Sequence, residues 1–198
     1  MLEALGGTSE EARTYADAIV DQIKSQDKAD LKGWIVDIRD NGGENMFPML
    51  GAIGSILGEG ILGYFQTPDG NRVEWIYLDG EVKVDGITNF RLPDPYTLLK
   101  EGSPKVAVLT NGASGSSGEA VVIAFRGRPN TKSFGTATCG RPTSNVGYPL
   151  SNNSTLFLTV GFMVDRNGNV YEESILPDEI ITDNDLMLEV AKEWLRML

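Results

Sequence analysis

The sequence predicts an α/β fold, with a central, partly parallel sheet, flanking helices and a hairpin insertion, and three observations carry that prediction. Segments with the apolar period of a helix alternate with short apolar runs typical of buried strands. The runs Trp34-Ile-Val-Asp-Ile38 and Val106-Ala-Val-Leu-Thr110 each end in a loop rich in Gly, Asn or Ser that leads to a helical stretch. Between them, residues 60–84 hold alternating segments parted by Asp69-Gly70 and Asp79-Gly80, dipeptides that favour hairpin turns.

Thr8-Ser-Glu-Glu11 has the form of a capping box, and Ala12, Ala16, Ile19, Val20 and Ile23 share one helical face, which predicts a helix to about Ser25. The charged turn 26–30 leads to the strand 34–38 and then to Arg39-Asp-Asn-Gly-Gly43. Residues 47–57 suit a second helix with Pro48 in its first turn, weakened by Gly51 and Gly54. Residues 61–65 and 73–78 are the hairpin strands, and residues 94–104 read as surface loop. After strand 106–110 come a run of small residues and the apolar helix 120–125. Residues 126–130 form a turn, and 132–136 and 155–164 are strands, the latter turned back by Asp165-Arg-Asn-Gly168. Asp183 caps a last helix that places Met187, Ala191, Trp194 and Leu198 on one face.

With 198 residues the chain can form one domain, burying roughly 70% of its unfolded surface. It carries a formal charge of −11 and no run of basic residues, so phosphate backbones and anionic lipid surfaces are disfavoured partners, and no apolar run is long enough to span a membrane. Met1 to Gly7 holds no basic residue, so it does not read as a signal peptide. A capped helix follows almost at once, which suggests the core of a longer protein. The one cysteine, Cys139, offers no disulfide partner and no metal spacing, and it reads as a small buried residue. The sequence has no histidine, so this chain alone cannot build a Ser-His or Cys-His pair.

The segment Asn111-Gly-Ala-Ser-Gly-Ser-Ser-Gly-Glu119 is the most informative. It places Ser116 where a strand turns into a helix, and the unpaired N–H groups and positive dipole end of that helix favour an oxyanion beside the serine. Ser-x-x-Glu is equally the form of a helix cap, so Ser116 and Glu119 also fit a purely structural role. Asn41-Gly42-Gly43 fits a tight turn, Asp37 and Arg39 fit a structural ion pair, and Glu172 and Glu173 fit solvated surface carboxylates.

Three blocks in order resemble the C-terminal-processing (tail-specific) and tricorn-core serine peptidases: residues 33–43, residues 111–119 and Asp165-Arg-Asn-Gly-Asn-Val-Tyr-Glu-Glu-Ser-Ile-Leu-Pro-Asp178. The resemblance implies a crotonase- or ClpP-like sandwiched sheet over nearly the whole chain, without a PDZ domain. It also implies peptide or protein substrates, no cofactor and no metal, and a place outside the cytoplasm. It assigns the nucleophile to Ser116 and the oxyanion donors to the backbone N–H groups of Gly43 and Ser117. The tail-specific branch uses a lysine where this sequence has Arg141, and a supporting glutamine where it has Asn145. An arginine with a pKa above about 12 cannot take the serine's proton near neutral pH, although it can bind a substrate carboxylate in a forked pair. The tricorn-like branch uses an upstream histidine and a glutamate that falls on Glu172 or Glu173. The expectation is therefore a serine peptidase core that takes its base from outside this chain. A catalytically inactive peptide- or apolar-ligand-binding module on the same scaffold is the alternative, followed by an acyl-CoA enzyme of crotonase type.

Overall fold

The computed structural model describes residues 10–100 and 102–197. The elements run α1 (Glu10–Gln26), β1 (Gly33–Asp37), α2 (Met46–Ala52), α3 (Gly54–Leu57), β2 (Gly60–Gln66), β3 (Arg72–Leu78), β4 (Glu81–Val84), β5 (Ile87–Arg91), β6 (Lys105–Thr110), α4 (Ser117–Phe125), β7 (Thr131–Gly135), β8 (Thr143–Pro149), β9 (Thr155–Asp165), β10 (Val170–Tyr171), β11 (Glu179–Ile180) and α5 (Asn184–Arg196). The capping residues expected at Thr8 and Ser9 lie outside the described residues, as does Leu198.

The strands form two sheets rather than the single central sheet expected. A four-stranded sheet, ordered β1-β6-β7-β11, is parallel throughout. A seven-stranded sheet, ordered β10-β9-β2-β3-β4-β5 with β8 also on β9, is antiparallel throughout. Alternation along the parallel strands decides what covers each face. Trp34, Val36, Val106 and Val108 point into the main core with α1, α2 and α4, whereas Ala107, Leu109 and Phe134 pack with Met187, Ala191 and Leu195 of α5. The layers are thus α5, the parallel sheet, the helices α1, α2 and α4, and the antiparallel sheet. The helix α4 is buried along its whole length, which explains why its sequence is apolar on every side.

The helical segment 47–57 breaks at Ile53 into α2 and α3. Gly54 sits against the Tyr77 ring, where an added Cβ would come within 2.0 Å of Tyr77 Cζ, so the break lets the backbone rest on an aromatic face. Two strands extend the expectation. β5 closes a hairpin with β4 through Asp85 and Gly86, both at positive φ. β8 pairs with β9 to make a ribbon that leaves the body of the protein. Residues 142–164 hold no charged side chain, yet Tyr148, Leu150, Leu156, Phe157 and Leu158 of that ribbon are exposed. Folding also gathers basic residues that are scattered in sequence: Lys28, Lys32, Lys192 and Arg196 line one open cleft. Among the described residues, no helix is long and apolar enough to cross a membrane.

Candidate active site

Loops leave the carboxyl ends of the adjacent parallel strands β1, β6 and β7 and meet at the start of α4. The ends of such strands are where open α/β sheets form ligand crevices. Main-chain and short side-chain bonds fasten the loops together. Gly115 N–H donates to Asn41 O (2.9 Å), Ser114 Oγ to Ile38 O (2.8 Å) and Cys139 N–H to Ser114 O (2.8 Å). Asp40 and Asn111 are paired in both directions: Asp40 N–H donates to Asn111 Oδ1 (3.1 Å), and Asn111 Nδ2 donates to Asp40 Oδ1 (2.9 Å).

These bonds separate the three serines. Ser114 is buried and its hydroxyl donates to Ile38 O, while the hydroxyl of buried Ser117 donates to Glu44 O at 2.6 Å. Ser116 remains half-buried at φ 52°, ψ −115°, a conformation outside the regions favoured by L-residues. Strain of this kind costs about 1–3 kcal/mol and persists only where neighbours impose it; a serine on a sharp strand-to-helix turn is the arrangement of a nucleophile elbow. Opposite stands Gly43, at φ 113°. A Cβ on Gly43 would lie 2.8 Å from Ser116 Cβ and 3.0 Å from Ser117 N, so the glycine turn touches the serine turn directly. Ser117 is the first residue of α4, and its N–H has no acceptor within the helix. The N–H of Gly43 is already bonded, to Asn41 Oδ1 at 3.1 Å.

Glu119 ties the arrangement together from below. Its fully buried carboxylate accepts from Ser116 N–H (2.8 Å), Gly140 N–H (2.9 Å), Arg141 N–H (2.9 Å) and Thr138 Oγ1 (2.6 Å). The bond from Ser116 N–H is the cap expected from Ser-x-x-Glu. The other bonds, which join the serine turn to the loop after β7, were not legible from that motif. The available signal was a carboxylate at the head of an all-buried helix, where water cannot solvate it. On the other side of the glycine turn, Tyr15 of α1 approaches Glu44: burial and, secondarily, the Glu44 charge raise the pKa of its hydroxyl.

The remaining expected residues lie around this centre. Arg141 is bound to Glu119 through its main chain, and its side chain is exposed. Asn145 belongs to the ribbon, where its Oδ1 accepts from Thr159 Oγ1 at 2.8 Å. Glu172 and Glu173 are exposed. They precede Ser174 and Ile175, which do reach the loop after β7: a Cβ on Gly140 would lie 2.8 Å from Ser174 Oγ, and Ile175 N–H donates to Thr138 Oγ1 at 2.8 Å. The fold therefore brings Ser116, Ser117, Gly43 and the main chain of Arg141 together, with Asn145 on the ribbon and Glu172 and Glu173 exposed just before Ser174. Cys139 is exposed rather than buried, because its loop lies against Gly115 at the surface. Asp37 and Arg39 form the expected ion pair, at 2.6 Å. Among the described residues, no group of His, Cys, Asp and Glu could hold a metal ion.

Comparison with known proteins places this geometry in a family. A nisin-resistance protein from Lactococcus lactis subsp. lactis is 28% identical over 190 residues, covering 96% of this chain and 57% of the relative. A solved lipoprotein from Streptococcus agalactiae is 30% identical with a TM-score of 0.73, covering 94% of this chain and 61% of that one. The photosystem II D1 C-terminal processing protease shares the fold, with a TM-score of 0.60 at 19% identity, over 88% of this chain and 40% of that one. The chain thus spans about three fifths of the length of the first two relatives. The family model described as peptidase family S41 matches residues 7–181, and the chain belongs to that family.

Proposed function

We propose that this chain is a serine peptidase core in which Ser116 is the nucleophile. The observation that carries the reading is the strained Ser116 turn at the head of α4, with the Gly43 turn in van der Waals contact. Ser116 Oγ attacks the peptide carbonyl carbon, and its proton passes to a base. The carbonyl oxygen, now negative, is held by the N–H groups of Ser117 and Gly43; losing one such donor costs about 3–4 kcal/mol of transition-state stabilisation. Asn41 Oδ1 occupies the Gly43 N–H in the free protein, so substrate exchanges one acceptor for another there. Collapse expels the amine, which takes a proton, and water then hydrolyses the acyl-enzyme.

The chain has no histidine, and an arginine stands where the tail-specific branch has its lysine, so the base comes from protein outside these residues. Glu172 or Glu173, exposed beside the loop after β7, orients that base. The exposed Arg141 guanidinium binds a substrate carboxylate. β8 begins at Thr143, just past Arg141, and among the described residues its outer edge carries no strand, so an extended peptide can pair along it past Asn145. Relatives that include a nisin-resistance protein and a lipoprotein support an extracytoplasmic setting, which fractionation of the source cells tests directly. The greater length of both relatives supports reading this chain as the core of a longer protein, and a crotonase-like form for that core belongs to the same proposal.

The test is peptide hydrolysis by the longest natural form of the protein. The reading expects kcat/KM to fall at least about a thousandfold in Ser116→Ala; unchanged hydrolysis contradicts it. The second reading, an inactive binding module, is favoured by Arg141 and the missing histidine. An inert natural form that still binds peptides would select it.

A further inference from the structure

At the other end of α4 from Ser116, roughly 13 Å along the helix axis, three guanidinium groups crowd around the helix carboxyl terminus. Arg166 Nη2 donates to Ala124 O (2.7 Å), Arg126 follows the last helical residue, and Arg128 lies beneath the next turn. A cavity of about 110 Å³ opens beside two of them, lined by Arg126, Arg128, Thr131, Ser133 and Asp178 over a floor that includes Phe125.

The charges there do not cancel. Arg128 is 6% exposed, and among the described residues it forms no ion pair. Its bonds go to neutral oxygens: Nε to Leu57 O (3.1 Å), and Nη1 to Pro104 O (2.9 Å), Pro129 O (2.9 Å) and Thr131 Oγ1 (3.1 Å). All of these leave from Nε or Nη1, so the Nη2 donors remain for an occupant. Arg126 pairs with Asp178 at 2.8 Å through Nη1 and donates from Nη2 to Leu176 O, yet its Nε, like that of Arg166, is buried without a partner. Burial, then the charge of Arg166, lowers the Arg128 pKa to about 10. Against three positive charges stand Asp178, Asp165 beside Arg166, and about half a negative charge from the helix terminus. A fractional positive excess is left, in a place where water screens it poorly. Asp178 itself opposes any further multiply charged anion.

We propose that this cavity binds the carboxylate of a small monoanionic acid. Arg126 and Arg128 hold the oxygens, and the apolar floor takes a short alkyl group. Guanidinium N–H donors suit a planar carboxylate, and a single negative charge overshoots the fractional excess by less than a doubly charged anion would. Nothing in the proposal depends on Ser116, so Ser116→Ala binds as the unaltered protein does.

Propionate titration tests it, followed by thermal unfolding and calorimetry at ionic strength matched with sodium chloride. The expected result is a saturable rise in melting temperature beyond that given by chloride, with binding at least tenfold weaker in Arg126→Gln and in Arg128→Gln. Arg126 is the less buried of the two, so its variant remains informative if Arg128→Gln fails to fold. A short peptide ending in valine and its C-terminal amide separate two sources of the same group. Binding of propionate and of the free-acid peptide but not its amide extends the site to peptide ends, while binding of propionate without either peptide confines it to free acids; either result supports the site. Equal responses to propionate and chloride, retained affinity in Arg126→Gln, or a preference for sulfate and phosphate over propionate would overturn it.

Discussion

The loops around Ser116 and the β8–β9 ribbon adjoin each other, and they are built in opposite ways. At the serine turn, short hydrogen bonds fasten the loops to one another, and Glu119 alone joins two loops through four donors. The ribbon holds no charged side chain from residue 142 to 164, and Tyr148, Leu150, Leu156, Phe157 and Leu158 stand in solvent. Rigid geometry is what a developing charge needs, because donors fixed in advance do not reorganise during reaction. An open strand edge suits a partner that arrives with its own backbone groups to satisfy. On the proposed reading, the first region carries the chemistry and the second the recognition.

Substitutions of graded size test that contrast. Glu119→Gln should have the largest effect, because the amide presents donors to groups that are themselves donors; a loss of about 3 kcal/mol in urea unfolding is expected. Gly43→Ala comes next, at about 1–3 kcal/mol, since the left-handed φ and the contact with Ser116 Cβ both exclude a methyl group. Asp165 anchors the base of the ribbon. Burial alone would raise its pKa, but donors from Asn169, Tyr171 and Asn167 hold the folded value below the usual one. A depressed carboxylate stabilises the fold above its unfolded pKa and loses that contribution as pH falls, so acid unfolding should steepen below about pH 4. In Asp165→Asn that part of the pH profile should flatten. Phe157→Ser should have the smallest effect on stability, within about 0.5 kcal/mol, while lowering kcat/KM for long peptides more than for short ones. A large loss of stability from Phe157→Ser, or none from Glu119→Gln, would erase the distinction between the regions.

Much of this was legible in the sequence, and the exceptions share a cause. α1, β1, β6 and α5 follow from apolar period and turn residues because each buries a regular face, while α4 and β9 follow from unbroken apolar runs. β8 escaped notice because Gly147 and Pro149 interrupt it and its side chains face solvent, leaving no period to read. β5 is short and buries only Phe90. The division into two sheets depends on which strands pair, and that is decided by packing remote in sequence. At the site, the small residues around Ser116 marked the turn. The links from Gly140 and Arg141 to Glu119, from Gly115 to Asn41 O and from Cys139 to Ser114 O run between loops and carry no local signature.

The claim on which the rest depends is that the hydroxyl of Ser116, and no other serine, is the reactive one. Labelling of the longest natural form with a fluorophosphonate, followed by mass-spectrometric location of the adduct, measures this directly. The account predicts an adduct on Ser116 that disappears in Ser116→Ala and survives in Ser114→Ala if that variant folds. An adduct on Ser114 or Ser117, or equal labelling of Ser116→Ala, would contradict it.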